Sequence, residues 1–178
     1  MQIQAHPLEQ FFQQQVSHIF EGRLGLNDPE ISTYIARVLC NFSDVGSPFA
    51  GNRADGHTLD ELLNMMRAAD PVFGTAPSFD AERAMRKYIG DYALFVAGML
   101  PEALGVESSA TDRRPSLGEL IRAGRASYHI VGEFNLFEYK REAGMFSRLS
   151  HQFERYVLAL SMVREELGKC LAGTTPPA

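Results

Sequence analysis

Apolar residues recur along this chain at intervals of three and four, a spacing that predicts six helical segments and shows no strand-like alternation. The first segment runs from about Pro7 to Phe20, with Leu8, Phe12, Val16 and Ile19 on one face and Gln13, Gln14 and Gln15 adding polar surface. The second begins with Asn27 or Asp28 as cap and Pro29 in the first turn, where proline costs no hydrogen bond. Its apolar face is Ile31, Tyr34, Ile35, Val38 and Phe42. Gly46, Pro48, Gly51 and Gly56 mark residues 44–57 as a loop. Thr58, with Glu61 three residues on, then makes a capping box for a third helix. The expected buried side of that helix is Leu59, Leu62, Leu63 and Met66, before a break at Pro71, Gly74 and Pro77.

The fourth segment, about Phe79 to Leu100, carries Met85, Tyr88, Tyr92, Phe95 and Met99 along one side and Gly90, Ala93 and Ala97 along the other. Its second half is therefore apolar all round, bulky on one face and slender on the opposite one. Such a helix belongs at the centre of a bundle, its slender face letting a neighbour approach closely. Gly90 and Gly98 each cost about 1 kcal/mol of helix propensity, which close packing offsets. Pro101 ends the segment and a polar loop, 107–115, follows. Ser116 and Glu119 form a second capping box, opening a fifth helix with Leu117, Leu120, Ile121, Gly124, Tyr128 and Val131 inward. Beyond Gly132, apolar positions at Leu136, Tyr139, Ala143, Phe146, Leu149, Phe153, Tyr156, Leu160, Val163 and Leu167 read as one long helix of a bundle, with Gly144 its weak point.

These elements make an all-α, single-domain helical bundle of about six helices around a central buried helix at about 79–100. The domain spans residues 1–172, and 173–178 form a flexible tail. The 178 residues are enough to bury a sizeable core, and 45% hydrophobic with 22% charged residues is a globular composition. A net charge of −5 weighs against nucleic-acid binding, which requires a basic footprint. The two cysteines, Cys40 and Cys170, have no second cysteine at metal-ligand spacing and suggest no disulfide framework. The opening residues lack a basic and then apolar leader, and the longest apolar run, Tyr92 to Leu100, is far shorter than a membrane span of roughly 20 residues. The expectation is a cytoplasmic protein with no membrane and no nucleic-acid partner.

The stretch Gly90-Asp91-Tyr92-Ala93-Leu94-Phe95-Val96-Ala97-Gly98-Met99-Leu100-Pro101-Glu102 resembles a G-D-x-x-L-F-x-x-G-x-x-P-E element of uncharacterised bacterial all-helical proteins. In those proteins it precedes a second helix with small residues and a tyrosine, similar to Gly124-Arg125-Ala126-Ser127-Tyr128 here. The resemblance implies a shared helical core and carries no activity with it.

Candidate chemistry is sparse. Gly51 to Thr58 approaches the phosphate-binding pattern G-x-x-x-x-G-K-[ST]. However, His57 replaces the lysine, Asp55 adds a negative charge and no strand precedes it, so it reads as a Gly-rich loop before a capped helix. The pairs His6–Glu9, His18–Glu21 and His151–Glu154 run in the reverse order of the Glu-x-x-His ligands of di-iron bundles, and helical phase turns His129 and His151 to water. No metal site and no cofactor is expected. Asp91 lies between the bulky and slender faces of the central helix. It reads either as a flank residue paired with Lys87, or as a partly buried carboxylate that needs a polar partner from another helix, such as Tyr128. Arg113, Arg114, Arg122 and Arg125 surround the start and outer face of the fifth helix and are candidate anion contacts. Leu158 and Met162, beside His151 and Arg155, sit on the far side of the last helix. Either the N-terminal helix or another copy of the chain covers them, and the sequence does not choose.

No nucleophile elbow, zinc-protease helix or dinucleotide loop is present, although a site assembled from distant residues would leave no such motif. Three readings follow. The first is a non-enzymatic helical interaction protein, homo-oligomeric or bound to a protein partner, with Leu158, Met162, His151 and Arg155 at the interface. The second is a bundle holding an apolar or aromatic small molecule against Tyr88, Tyr92, Phe95, Met99 and Tyr128, with Asp91 as its polar anchor. The third is an enzyme centred on Asp91 or the His57 loop.

Overall fold

The computed structural model describes residues 7–43, 57–70, 72–106 and 113–173, apart from the Leu171 side chain. Among these residues every regular element is helical: α1 (Pro7–Leu24), α2 (Pro29–Ser43), α3 (Leu59–Ala68), α4 (Phe79–Met99), α5 (Leu117–Glu133), α6 (Lys140–His151) and α7 (Phe153–Ala172). Single 3-10 turns follow α4 at Pro101–Ala103 and precede α6 at Phe137–Tyr139. No described helix is long and apolar enough to cross a membrane. The loop pattern around Gly51–Gly56, the polar loop at 107–112 and the tail beyond Gly173 lie outside the described residues.

The helix starts follow the local chemistry. Asp28 Oδ1 accepts from the Ile31 amide at 3.2 Å ahead of α2, and Ser78 Oγ accepts from the Ala81 amide at 3.1 Å ahead of α4. Both capping boxes form: Thr58 with Glu61 at α3, and Ser116 with Glu119 at α5. Each box satisfies two amide groups that the helix itself leaves without acceptors.

α4 is the hub, packing against α2, α3, α5 and α7. From Ile89 to Gly98 every residue is buried. Its slender face makes the close approaches that the glycines imply. A Cβ on Gly90 would overlap the Tyr128 ring of α5, and one on Gly98 would overlap the Leu160 side chain of α7. Gly124 of α5 leaves the same kind of room for the Phe153 ring. The bulky face is covered by Phe42 of α2, whose ring stacks on Phe95 at 5.0 Å between centroids, and by His57, whose ring meets Tyr92 edge-on at 4.7 Å.

Four sequence expectations need correction; the first is Leu117, expected inward on α5 but 42% exposed in its first turn. The long C-terminal helix is two helices, divided at Gln152 rather than at Gly144. The 3-4 pattern continues across the break because α6 and α7 bury their stripes in the same core, and periodicity registers burial rather than axial continuity. Leu136 does not open that helix: it lies before it and is exposed. In α3 only Leu62 is buried. Leu59 and Met66 are half-buried and Leu63 is exposed, because the stripe borders grooves instead of filling the core.

The glycines give a direct test. Gly90→Ala forces the buried Tyr128 ring to shift and should cost about 1–3 kcal/mol, as overpacking does. Gly22→Ala, at an α1 position with open space around it, should be neutral or stabilise by up to about 1 kcal/mol. Urea denaturation of the two variants measures the contrast, and equal effects would contradict the packing of α4 on α5.

Candidate functional site

Asp91 is only 7% exposed, in the middle of α4. A carboxylate there loses its hydration and must be matched by donors. Three groups supply them. The Tyr128 hydroxyl of α5 donates to Oδ1 at 2.7 Å, and the Tyr34 hydroxyl of α2 donates to the same oxygen in a very short bond. The Lys87 ammonium, one turn back on α4, donates to Oδ2 at 2.8 Å. Lys87 Nζ also lies 5.1 Å from the centre of the Tyr34 ring. Asp91 thus pairs with Lys87 and is also buried against Tyr128, the partner that the sequence reading named. Tyr34 escaped the sequence reading as a polar group because it falls in phase with the apolar face of α2.

Burial and the Asp91 charge both disfavour the phenolate form of Tyr34 and Tyr128, holding their pKa values well above 10.0. Both hydroxyls are therefore fixed donors. The arrangement can hold three helices in register, but every oxygen of Asp91 already has a partner in the protein.

The remaining aromatic candidates sit on the next side of α4. Tyr88 and Tyr92 stack at 6.3 Å, and His57 joins them: its amide donates to the Tyr92 hydroxyl at 2.7 Å and its Nε2 lies 2.9 Å from the Tyr88 hydroxyl. Its Nδ1 is 3.7 Å from Glu61, the α3 capping residue. His57 thus ties the start of α3 to α4. Burial raises the pKa of Tyr88 and of Tyr92. Phe95 is buried and Met99 half-buried against the same core. Beside Asp91 a cleft of about 310 Å³ is lined by Asn41, Phe42, Ala84, Lys87 and Tyr88. Of the proposed ligand residues, only Tyr88 and Asp91 reach it. Tyr92, Phe95, Met99 and Tyr128 do not converge on that space.

The other candidates are dispersed. Arg113 pairs with Asp60 at 3.2 Å and Arg125 with Glu154 at 3.4 Å, while Arg114 donates to the Glu102 carbonyl at 3.3 Å. Arg122 is exposed beside Glu119 in a groove between α3 and α5. These arginines serve neighbouring carboxylates and carbonyls and do not gather around one anion site. His151 and Arg155 are exposed, Leu158 is 56% exposed, and Met162 is half-buried against the core. The N-terminal helix packs on α7 without covering Leu158. His129 is exposed. No cluster of three or more histidine, cysteine, aspartate or glutamate side chains suited to a metal occurs among the described residues.

Sequence reasoning missed an exposed apolar groove. Phe79 at the start of α4, Ile130 of α5, and Phe134, Leu136 and Phe137 between α5 and α6 line a groove of about 540 Å³. Phe137 is 87% exposed and has φ of 52°, the single positive φ among described non-glycine residues. A bulky residue in that region costs about 1–3 kcal/mol and persists only where its surroundings fix it. Tyr139 does so: its hydroxyl donates to Asp80 at 2.9 Å, and the Arg83 guanidinium lies 4.1 Å above its ring. Neither backbone strain nor the exposure of Leu136 and Phe137 can be read from apolar periodicity.

Comparison with known proteins finds no matching family model, curated protein or solved structure.

Two outcomes follow from the Asp91 cluster. Asp91→Asn keeps the shape but removes the charge that both phenols address, and should destabilise by about 1–3 kcal/mol in urea denaturation without unfolding the chain. The second concerns alkaline pH. Because the folded pKa values of Tyr34 and Tyr128 exceed the unfolded value of 10.0, the native state keeps protons that the unfolded chain releases. Their contribution is full below about pH 10 and is lost as pH rises through the folded values. The urea midpoint should fall above about pH 10, and less steeply in the double variant Tyr34→Phe, Tyr128→Phe. Identical slopes would show that these two phenols are not specially buried.

Proposed function

We propose that this chain is a non-enzymatic helical interaction protein that self-associates through the groove between the start of α4 and the α5–α6 junction. The observation that carries the reading is Phe137, an aromatic side chain held out in water on a strained backbone at the edge of an apolar recess. A folded protein gains nothing by itself from that arrangement: burial is lost and conformational strain is added. Both costs are recovered when the ring enters an apolar site on a partner.

The choice of a second copy as partner rests on shape. Projecting aromatics (Phe79 and Phe137) and the recess they border belong to one patch. A twofold interface needs a surface that carries both the knob and the hole for its mate, and this patch supplies both. Leu158, the interface residue suggested by the pattern of α7, stands exposed and lines none of the grooves described above, which makes it the secondary contact.

The small-molecule reading centred on Asp91 has the neighbouring cleft in its favour. Against it, the carboxylate is consumed by two phenols and one ammonium, so it is not free to anchor a ligand in that space. An enzyme centred on Asp91 or His57 meets a similar objection, because the Asp91 oxygens are taken and the His57 Nε2 lies 2.9 Å from the Tyr88 hydroxyl.

Sedimentation equilibrium over a range of concentrations tests the proposal, using Phe137→Gly. Glycine adopts the positive φ freely, so this variant should gain about 1 kcal/mol in monomer stability while losing association. A wild-type chain that stays monomeric at high concentration, or a dimer that survives Phe137→Gly and dissociates with Leu158→Ser, would overturn it.

A further inference from the structure

Two arginines three residues apart on α4, Arg83 and Arg86, are each only 8% exposed. Arg83 is provided for: Nη2 donates to Glu142 at 2.7 Å and the guanidinium lies over the Tyr139 ring. Arg86 is not. The Nε of both arginines is buried without a hydrogen-bond partner among the described residues, but only Arg86 also lacks an ion pair there. Glu82 and Asp70 are close enough to act on it electrostatically, and burial pulls its pKa down from the usual arginine value. A buried guanidinium with no hydrogen-bonded anion is costly, and five planar donors are the geometry that recognises a carboxylate with two parallel bonds.

Arg86 faces a groove of about 560 Å³ between α3 and α4, lined also by Leu63, Met66, Arg67, Asp70 and Phe73. This volume is within the range that small ligands occupy, roughly 300–1,000 Å³. The apolar wall is the stripe of α3 that the sequence assigns to the core and that the fold leaves open. The rim is fixed: Asp70 Oδ1 accepts from the amides of Val72 at 2.8 Å and Phe73 at 3.0 Å, which holds the 91%-exposed Phe73 ring at the mouth. Those two bonds occupy one oxygen of Asp70 and keep its pKa low, so its charge opposes an anion. Arg67 and Arg86 outnumber it in the lining. Glu82 borders the neighbouring groove beside Phe79 instead.

We infer that the α3–α4 groove binds a small monocarboxylic acid with an apolar tail, the carboxylate paired to the Arg86 guanidinium and the tail lying along Leu63, Met66 and Phe73. This site is separate from the Phe137 surface and stands whether or not the chain self-associates. A phosphate or sulfate without an apolar body would leave the wall unused, and a neutral amphiphile would leave Arg86 without its anion.

Calorimetric titration of the whole chain with decanoate, decanol and inorganic phosphate tests the inference, with decanoate kept below its micelle concentration. Saturable one-to-one binding of decanoate is expected, with decanol and phosphate each weaker by about tenfold or more. Arg86→Gln should lose about tenfold in decanoate affinity and leave decanol unchanged. Should Arg86→Gln fail to fold, Phe73→Asp, at an exposed position, keeps the test open. It removes the apolar rim and adds a repelling charge, and should weaken decanoate by a similar factor. Decanol binding as tightly as decanoate would overturn the inference. So would wild-type affinity in Arg86→Gln or Phe73→Asp, or no saturable binding of decanoate.

Discussion

A carboxylate withdrawn from water has to be answered by hydrogen-bond donors, and the position of Asp91 makes that requirement the organising constraint of this bundle. Its donors come from α2 (Tyr34), α4 itself (Lys87) and α5 (Tyr128), so satisfying one side chain sets three helices relative to one another. The residue before it completes the arrangement. Gly90 lets the Tyr128 ring lie directly on α4, and that approach brings the hydroxyl to the neighbouring carboxylate. Close packing and polar pairing are therefore one event: a side chain at residue 90 would push away the donor that residue 91 needs. An apolar pair at the same place would supply burial but not a fixed register, and the Asp91 cluster adds that directionality.

Much of the fold was legible because its signals are local. Capping boxes at Thr58 and Ser116, proline in the first turn of α2, and the two-faced pattern of α4 each depend on residues within a turn or two. The failures are equally physical. Tyr34 counted as an apolar residue because a phenol serves both the core and a hydrogen bond, and its partner lies 57 positions away. The division at Gln152 was hidden because α6 and α7 bury consecutive stripes in one core. Leu63 and Leu136 misled in the opposite direction: an apolar residue at helical spacing carries no mark that distinguishes core from groove.

The distribution of chemistry also separates the inside of this protein from its outside. In the second half of α4 the polar groups are spent on one another, and the aromatic face is filled by Phe42 and His57. Around the first half, the α3–α4 connection and the α5–α6 junction hold apolar side chains in water: Phe73, Phe79, Leu136 and Phe137. Buried charge accompanies them, with Arg83 answered by Glu142 and Arg86 without an ion pair among the described residues. Stability is concentrated at one end of the central helix and unsatisfied capacity at the other. The proposed contacts fall at the second end for that reason, since binding draws on groups the fold has not already paired.

The claim beneath this account is that Asp91 and the tyrosines act as one unit rather than as independent core residues. A double-mutant cycle on Asp91→Asn and Tyr128→Phe, followed by urea denaturation, measures that directly. The account predicts that the second substitution costs about 1 kcal/mol or more less in the background of the first than it does alone, because the bond it removes is already compromised. Effects that add to within about 0.5 kcal/mol would contradict it, and the three-helix junction would then owe its register to apolar packing alone.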